Sequence, residues 1–163
     1  MQSAQVSPFS SISVPVRGPL GPPPPPTSPL VSKSMKSNRG RDTGPEIRLR
    51  KALWRAGFRG FRTNFPGAPG HPDIAYPSAK VAVMVYGDFW HRCPKHPMPL
   101  PKAHRDYWQN KFELNKRRDA QKRAALVKQG WHVVEFWECE VRGTLQDCVS
   151  RVGSAISARP VFR

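Results

Sequence analysis

The chain has 163 residues, with 27 Lys or Arg against 11 Asp or Glu, so its formal net charge is +16 at pH 7. This excess of positive charge disfavours basic partners and favours polyanions. A membrane partner is disfavoured, because no apolar run approaches the roughly 18 residues that are needed to span a bilayer. Nucleic acid is therefore the expected partner, and a charged surface kept for solubility is the alternative. Three cysteines and no convincing signal peptide predict a reducing, cytoplasmic location rather than a disulfide framework.

The N-terminal region is predicted to be a disordered tail over residues 1–31. Its first 30 residues carry a single charge, that of Arg17, and include consecutive prolines over residues 22–26. Proline lacks a backbone donor and fixes φ, so this composition can build neither a strand ladder nor a core. The folded domain is expected over residues 32–160.

The first half of this domain is expected to combine one helix with short strands. The sequence Thr43-Gly-Pro-Glu46 predicts a capping box that opens a helix ending at Gly57. A short strand is expected over residues 58–63 and, after a loop rich in Gly and Pro, two further strands over residues 73–76 and 80–86. The last of these is almost continuously apolar, as expected of a strand covered on both faces.

The second half contains the longest predicted helix, over residues 103–128. Its polar residues Asn115 and Asp119 fall in line with apolar residues at helical spacing. A strand over residues 131–137 and a closing helix over residues 145–156 follow. The order α-β-β-β-α-β-α predicts an α/β domain in which a small mixed sheet is flanked by helices.

The residues that can carry chemistry centre on Asp73 and on the run Gly87-Asp-Phe-Trp-His91. Asp73 opens one strand and the run follows the next, so a hairpin would bring both to one end of the sheet. A carboxylate there suits a hard cation, and a metal can stabilise charge on a phosphodiester during cleavage. This arrangement resembles the core of the restriction-endonuclease-like superfamily; an ordinary loop aspartate is the alternative for Asp73 alone.

Further short segments accompany this pair along the chain. They are Ser32-Lys-Ser-Met35, Gly40-Arg-Asp-Thr43, Glu46, Pro69-Gly-His-Pro-Asp73 and Trp137-Glu-Cys139. In this order they resemble the very-short-patch repair endonucleases, bacterial enzymes that nick DNA beside a T:G mismatch, over about two-thirds of the chain. The resemblance implies a cytoplasmic, nucleoid-associated enzyme, expected to be a monomer, with mismatched double-stranded DNA and mismatch-repair proteins as partners.

The resemblance also implies a catalytic magnesium site. Asp73 and the backbone carbonyl of Val85 would bind the Mg²⁺, and His91 would activate the attacking water. A neutral imidazole suits that task, because the reference pKa of histidine is about 6.5.

Glu46 and Asp119 match two further catalytic acids of the family. The capping box alone also explains Glu46. A carboxylate on an apolar helix stripe needs a partner. For Asp119 that partner is either His91 or an arginine such as Arg117 or Arg118.

Tyr86 departs from the family, many of whose members carry a histidine or an acid at this place. A phenol stays protonated at neutral pH and cannot replace a carboxylate at a hard metal ion. Either Asp88, two residues on and on the same strand face, takes part of that role, or activity is reduced.

Recognition of the mismatch is implied for three apolar residues. Phe89 and Trp90 match aromatic residues that wedge into the duplex beside the mispair, and Met35 matches a wedge from the opposite groove. Core packing is the alternative for the aromatic pair, and a disordered methionine for Met35. Phosphate contacts are expected from basic residues of the long helix, for which a solvated charged face is the alternative: Lys111, Arg117 and Arg118.

A second metal set consists of Cys93, His96 and Cys139. Thiolate and imidazole ligands suit tetrahedral Zn²⁺, and the resemblance implies that the zinc is structural. The fourth ligand stays open between His71 and His91, and free thiols are the alternative to a metal site.

The sequence therefore predicts a Mg²⁺-dependent nickase that cuts 5′ to the thymine of a T:G mismatch and carries a structural Zn²⁺. A related nuclease of another DNA specificity is one alternative. A DNA-binding module that has lost catalysis is another, which the substitution at Tyr86 would explain. A basic, zinc-containing RNA-binding protein is disfavoured, because it leaves Asp73 and the aromatic run unexplained.

Overall fold

A computed structural model of the chain describes residues 21–29, 32–33 and 40–158. Met35 and most of the predicted tail lie outside the described residues. Within the described ranges, no helix has both the length and the apolar character that crossing a membrane requires.

Four helices and four strands lie within residues 40–158. We label the helices α1 to α4 and the strands β1 to β4 in chain order. A 3₁₀ turn over Pro77–Ala79 joins β2 to β3. The elements are α1 Gly44–Arg55, β1 Arg62–Thr63, β2 Ile74–Tyr76, β3 Val81–Tyr86, α2 Arg105–Lys128, β4 His132–Trp137, α3 Glu138–Gly143 and α4 Leu145–Ser157.

The strands form one mixed sheet in the order β1-β2-β3-β4. The pairs β1–β2 and β2–β3 are antiparallel, whereas β3 and β4 run parallel, from Val81 opposite His132 to Tyr86 opposite Trp137. The crossover between these two parallel strands contains α2, which is the usual connection for such a pair. The predicted fold class is therefore confirmed. Because the carboxyl ends of β3 and β4 meet at one sheet edge, the segments that follow them lie side by side.

Side chains of β3 alternate between two apolar layers, as the period-two geometry of a strand requires. Val81 and Val83 pack with residues of α1 and α4 on one face of the sheet. Ala82 and Met84 pack on the other face with Leu126 of α2. The sheet is thus covered on both sides, and β3 is almost fully buried, in agreement with its apolar sequence.

The structure differs from the sequence prediction at two elements. The strand expected over residues 58–63 forms only at Arg62–Thr63, because Phe58 packs against Gly153 and its carbonyl accepts a 2.9 Å hydrogen bond from the Tyr76 hydroxyl. The short helix α3 was not predicted. It begins directly after β4, where Glu140 accepts a 2.8 Å hydrogen bond from the backbone N–H of Trp137.

Candidate active site and metal centre

A cleft of about 820 Å³ opens at the carboxyl end of β3. The start of α1, the end of β3, the turn after it and the middle of α2 form its walls. All four predicted catalytic side chains and Val85 line it together: Glu46, Asp73, Val85, His91 and Asp119.

Asp73 lies immediately before β2, at the base of the cleft. Its Oδ2 accepts a 2.8 Å hydrogen bond from the backbone N–H of Val85 on the neighbouring strand. The pKa of Asp73 is raised to about 6, mainly because the carboxyl group is buried. The hydrogen bond from Val85 lowers this pKa, and the nearby Glu46 carboxylate raises it. The positive charges of Arg50 and Lys122 also lower it. Such a desolvated carboxylate favours a cation beside it.

Glu46 is buried at the start of α1, but the predicted capping box does not form. Thr43 makes no side-chain bond to the helix backbone. Its hydroxyl instead donates to Glu46 Oε1 at 2.8 Å, and the backbone N–H of Asp42 donates to Oε2 at 2.9 Å. The helix start therefore holds the Glu46 carboxylate in place rather than being capped by Thr43.

Arg50 is a further residue at this site, which the sequence analysis missed. One turn of α1 beyond Glu46, it donates to Glu46 Oε2 at 3.0 Å and to the carbonyl oxygen of Asp73 at 3.1 Å. It also pairs with Asp42. Arg50 thus ties α1 to the start of β2; the i,i+4 spacing from Glu46 was the available signal.

His91 and Asp119 form a hydrogen-bonded pair across the cleft. The Nδ1 atom of His91 contacts Oδ2 of Asp119, and the backbone N–H of His91 donates to the Gly87 carbonyl at 3.1 Å. This contact explains why a carboxylate lies on the apolar stripe of α2. No pairing of Asp119 with Arg117 or Arg118 is observed: both arginines are exposed, whereas Asp119 is buried.

The side chain of Tyr86 is buried beside the cleft. Its hydroxyl donates to Glu135 Oε1 at 3.0 Å, and Arg123 of α2 donates to the other oxygen of Glu135 at 3.0 Å. Burial raises the pKa of Tyr86 far above its usual value, and the Glu135 carboxylate adds to this. The phenol is thus a hydrogen-bond donor at neutral pH.

Asp88 does not share the strand face of Tyr86, because β3 ends at Tyr86 and Asp88 lies in the following turn. Its Oδ1 accepts a 3.3 Å hydrogen bond from the backbone N–H of Cys139. The carboxylate therefore lies beside Cys139, and Asp88 is not among the residues that line the cleft with Asp73.

Phe89 and Trp90 are half-buried in an aromatic cluster with two residues of α2. The ring centroids of Phe89 and Phe112 are 5.3 Å apart, and those of Trp90 and Trp108 are 5.9 Å apart. The Asn115 side chain donates to the Trp90 carbonyl at 2.9 Å, which accounts for its polar place on the stripe. Trp90 also lines the cleft, so this cluster continues the cleft wall.

Basic side chains flank the cleft on α2. Lys111 and Lys122 line the cleft directly. Arg117 and Arg118, which lie between them in the sequence of α2, are exposed to solvent. The stem of Lys122 lies over Gly70, where a Cβ would come within 2.7 Å of its Cγ and where φ is +73°. The loop before Asp73 therefore needs glycine at this point.

Cys93, His96 and Cys139 form a group whose ligand atoms lie within 4.8 Å of one another. The two sulfur atoms are 3.7 Å apart. Two thiolates that bind one tetrahedral zinc ion at about 2.3 Å lie roughly 3.8 Å apart, so the group fits such an ion. Burial, a hydrogen bond with Cys93 and the Asp88 carboxylate raise the pKa of Cys139 to about 12. Metal binding at this group must therefore displace a proton.

Neither histidine considered as a fourth ligand belongs to this group among the described residues. His91 is bonded to Asp119, and His71 lies in the exposed loop before Asp73. Asp88 is the acidic residue beside Cys139. The alternative that put Asp88 beside Asp73 required the period-two pattern of β3 to continue past Tyr86, where the strand ends.

Comparison with known proteins gives a consistent picture. A family model described as "DNA mismatch endonuclease Vsr" matches residues 28–95. The type II nicking enzyme V.XorIIP of Xanthomonas oryzae is 41% identical over 107 residues, which cover 66% of this chain and 78% of that enzyme. The type II nicking enzyme V.NmeDIP of Neisseria meningitidis is 37% identical over 125 residues, covering 76% of this chain and 84% of the relative.

The DNA mismatch endonuclease Vsr of Escherichia coli is 32% identical over 112 residues, covering 69% of this chain and 71% of that protein. The similarity includes the segments that carry Asp73 and His91, which the family model also covers. The cleft, its acids and its basic rim suit a hydrolase that acts on DNA. The chain belongs to the DNA mismatch endonuclease Vsr family and is a DNA endonuclease.

Proposed function

We propose that this endonuclease is a Mg²⁺-dependent nickase that cuts 5′ to the thymine of a T:G mismatch. The observation that carries the proposal is the joint presence, in one cleft, of the desolvated carboxylate of Asp73 and the His91–Asp119 pair. The relatives are named as nicking enzymes and as a mismatch endonuclease, which supports the reaction type and the substrate class.

Asp73 and the carbonyl of Val85 would hold Mg²⁺, which when bound stabilises charge on the phosphate and lowers the pKa of a bound water. The raised pKa of Asp73, about 6 in the metal-free protein, supports this assignment. The carboxylate is pre-positioned by its hydrogen bond from Val85. Glu46, held by Arg50, adds a second negative charge at this side of the cleft.

His91 would accept the proton of the attacking water. Since Nδ1 faces the Asp119 carboxylate, the ring proton belongs on Nδ1, and Nε2 keeps a free lone pair. The water oxygen then attacks phosphorus, the bond to the leaving 3′ oxygen breaks, and the water proton passes to Nε2. Asp119 stabilises the imidazolium that results.

Phe89 and Trp90 would insert beside the mismatch. Their half-buried rings rest against Trp108 and Phe112 next to the cleft, so they lie close to a duplex bound there. Unstacking a base step costs a few kcal/mol and less at a mispair, which favours mismatched DNA. Met35, outside the described residues, is proposed as the wedge from the opposite groove. Lys111, Arg117 and Arg118 would contact phosphates.

The cysteine group would bind a structural Zn²⁺. We propose Asp88 as the fourth ligand: its carboxylate lies outside the group of three ligand atoms within 4.8 Å of one another, but it accepts a hydrogen bond from the backbone of Cys139 and shares the turn after β3 with Cys93. Carboxylate oxygen is an accepted zinc ligand. The zinc ion would cross-link this turn to the start of α3.

The proposed catalytic residues, from Glu46 to Asp119, line one cleft. This arrangement suits a monomer that cuts a single strand. A cytoplasmic, nucleoid-associated location, mismatch-repair proteins as partners and a folded domain over residues 32–160 remain part of the same proposal.

The test uses labelled duplexes that carry T:G or T:A at one position, with Mg²⁺ or with EDTA. The expected result is a single nick 5′ to the thymine, in the T:G duplex and with Mg²⁺ only. The Asp73→Asn variant should lose nicking, and the exposed control Asp147→Asn should keep it. Equal cutting of both duplexes would refute mismatch specificity; binding without any cutting would identify a module that has lost catalysis.

A further inference from the structure

We propose that a hydrogen-bonded network of Tyr86, Glu135 and Arg123 positions the imidazole of the active site. That imidazole belongs to His91, so the inference rests on the proposed function. The network gives Tyr86 a role that does not depend on metal binding.

The first step is a ring contact. The ring centroids of Tyr86 and His91 are 5.0 Å apart, with planes inclined by 46°. Tyr86 also contacts Trp137 at 5.7 Å and is only 3% exposed. The phenol ring therefore forms a packed surface beside the imidazole, and its orientation limits the rotation of the histidine.

The second step fixes the phenol ring itself. The Tyr86 hydroxyl donates to one oxygen of Glu135 at 3.0 Å, and Arg123 donates to the other at 3.0 Å. β3, β4 and α2 each contribute one member. Tyr86 is buried, whereas Glu135 and Arg123 are partly buried, and a hydrogen-bonded chain of this kind restricts the motion of its members.

The third step joins this network to the other contact of His91. Asp119 and Arg123 are four residues apart on α2, so they lie one turn apart on the same helix face. Asp119 holds Nδ1 directly, while Arg123 acts through Glu135 and the Tyr86 ring. One helix face thus holds the imidazole from two directions.

The charges around the network are consistent with these roles. Burial raises the pKa of Glu135, and the Arg123 guanidinium and the Tyr86 hydrogen bond oppose that shift, while Asp119 adds to it. Burial raises the pKa of the Tyr86 phenol, and the carboxylates of Glu135 and Asp119 raise it further. The 3.0 Å distance between the Tyr86 hydroxyl and Glu135 Oε1 is that of a phenol donating to a carboxylate.

Steady-state kinetics of Tyr86→Phe test the network, because this change keeps the ring and removes only the hydroxyl. We expect kcat to fall about tenfold with KM unchanged within about twofold, a part of the 10²- to 10⁴-fold contribution of a general base. The kcat of Glu135→Leu should fall by a similar factor. The kcat of the double variant should be no lower than that of either single variant, because both changes break the same network. Tyr76→Phe is the matched control, since its buried hydroxyl bonds to Phe58 on the other sheet face.

A second measurement is independent of catalysis. In the metal-free protein, the exchange rate of the His91 Nδ1 proton with water, followed by NMR, should rise in Tyr86→Phe and stay unchanged in Tyr76→Phe. Unchanged kcat and unchanged proton exchange in a folded Tyr86→Phe protein would overturn the network. If wild type fails to nick T:G duplexes, the proposed function fails, and the exchange measurement still decides the positioning claim.

Discussion

The carboxylate of Asp73 accepts its 2.8 Å hydrogen bond from the backbone of Val85, at the point where β2 and β3 diverge into the cleft. Even with this bond, burial dominates and raises the pKa of Asp73 to about 6. The protein thus holds an ionised carboxylate at neutral pH at a cost in stability, as expected of a site organised for a cation.

Asp73→Asn should stabilise the metal-free protein while abolishing nicking. The folded pKa lies above the unfolded value of 3.8, so wild-type stability falls as pH rises from 4 through 6. The full difference is at most about 3 kcal/mol, from 1.36 kcal/mol per pKa unit. Urea unfolding at pH 4 and pH 8 checks this: the advantage of the asparagine variant should be present at pH 8 and absent at pH 4. A variant no more stable at pH 8 would contradict it.

Asp119→Asn should lower kcat about 10²- to 10⁴-fold with little change in DNA affinity. An amide opposite Nδ1 can donate a hydrogen bond and thereby stabilise the tautomer that carries its proton on Nε2, which cannot accept one from water. Single-turnover nicking and a separate binding titration measure the two quantities. Arg118→Ala, at an exposed position of the same helix, should leave the rate of the chemical step unchanged. If this variant slows nicking as much as Asp119→Asn does, the proposed role of Asp119 in holding His91 is wrong.

Purified protein should contain about one equivalent of zinc, which Cys139→Ser loses and Cys148→Ala keeps. Cys148 is a buried thiol remote from the metal group, with a pKa raised by burial to about 11. Because the Cys139 pKa is also raised, zinc uptake releases protons, and zinc affinity should weaken as pH falls. Metal analysis measures the zinc content, and competition with a chelator at several pH values measures the zinc affinity. Folded wild type without zinc would reject the site, and Asp88→Asn with unaltered affinity would reject only the fourth ligand.

Substitutions at Arg117 and Trp90 should separate affinity from selectivity. Arg117→Ala should weaken binding to T:G and T:A duplexes by the same factor and reduce the salt slope by about 1. Trp90→Ala should leave the salt dependence of binding unchanged and reduce the ratio of the affinity for T:G duplexes to that for T:A duplexes. Binding isotherms at several salt concentrations decide between them. If Arg117→Ala affects only the mismatched duplex, the phosphate role is wrong.

Much of the fold follows from local patterns. The apolar run of β3 predicts a strand covered on both faces, and the spacing of Leu49 and Leu53 predicts the buried face of α1. Asp73 could be placed at a strand start, since the Gly- and Pro-rich loop before it ends there. These features depend on residues close together in the chain, where periodicity is informative.

The partners of Tyr86 and Asp88 could not be predicted in the same way. Tyr86 meets Glu135 across 49 residues, through a parallel register that no local pattern specifies. Asp88 points to Cys139 because β3 ends two residues earlier, so the period-two rule no longer applies. Arg50 was missed because its contact with Asp73 depends on how α1 packs against the sheet.

The turn from Gly87 to Cys93 contributes residues both to the metal-binding group and to the cleft. Asp88 and Cys93 face the metal group, while Trp90 and His91 face the cleft. In the proposed function, adjacent residues of this turn serve metal anchoring, mismatch recognition and cutting, so a backbone shift at one would displace the others. New specificities in this lineage are therefore expected to arise from exposed positions of α2, whose substitution leaves the turn undisturbed, and a directed-evolution library placed there should yield more active variants than one placed in the turn.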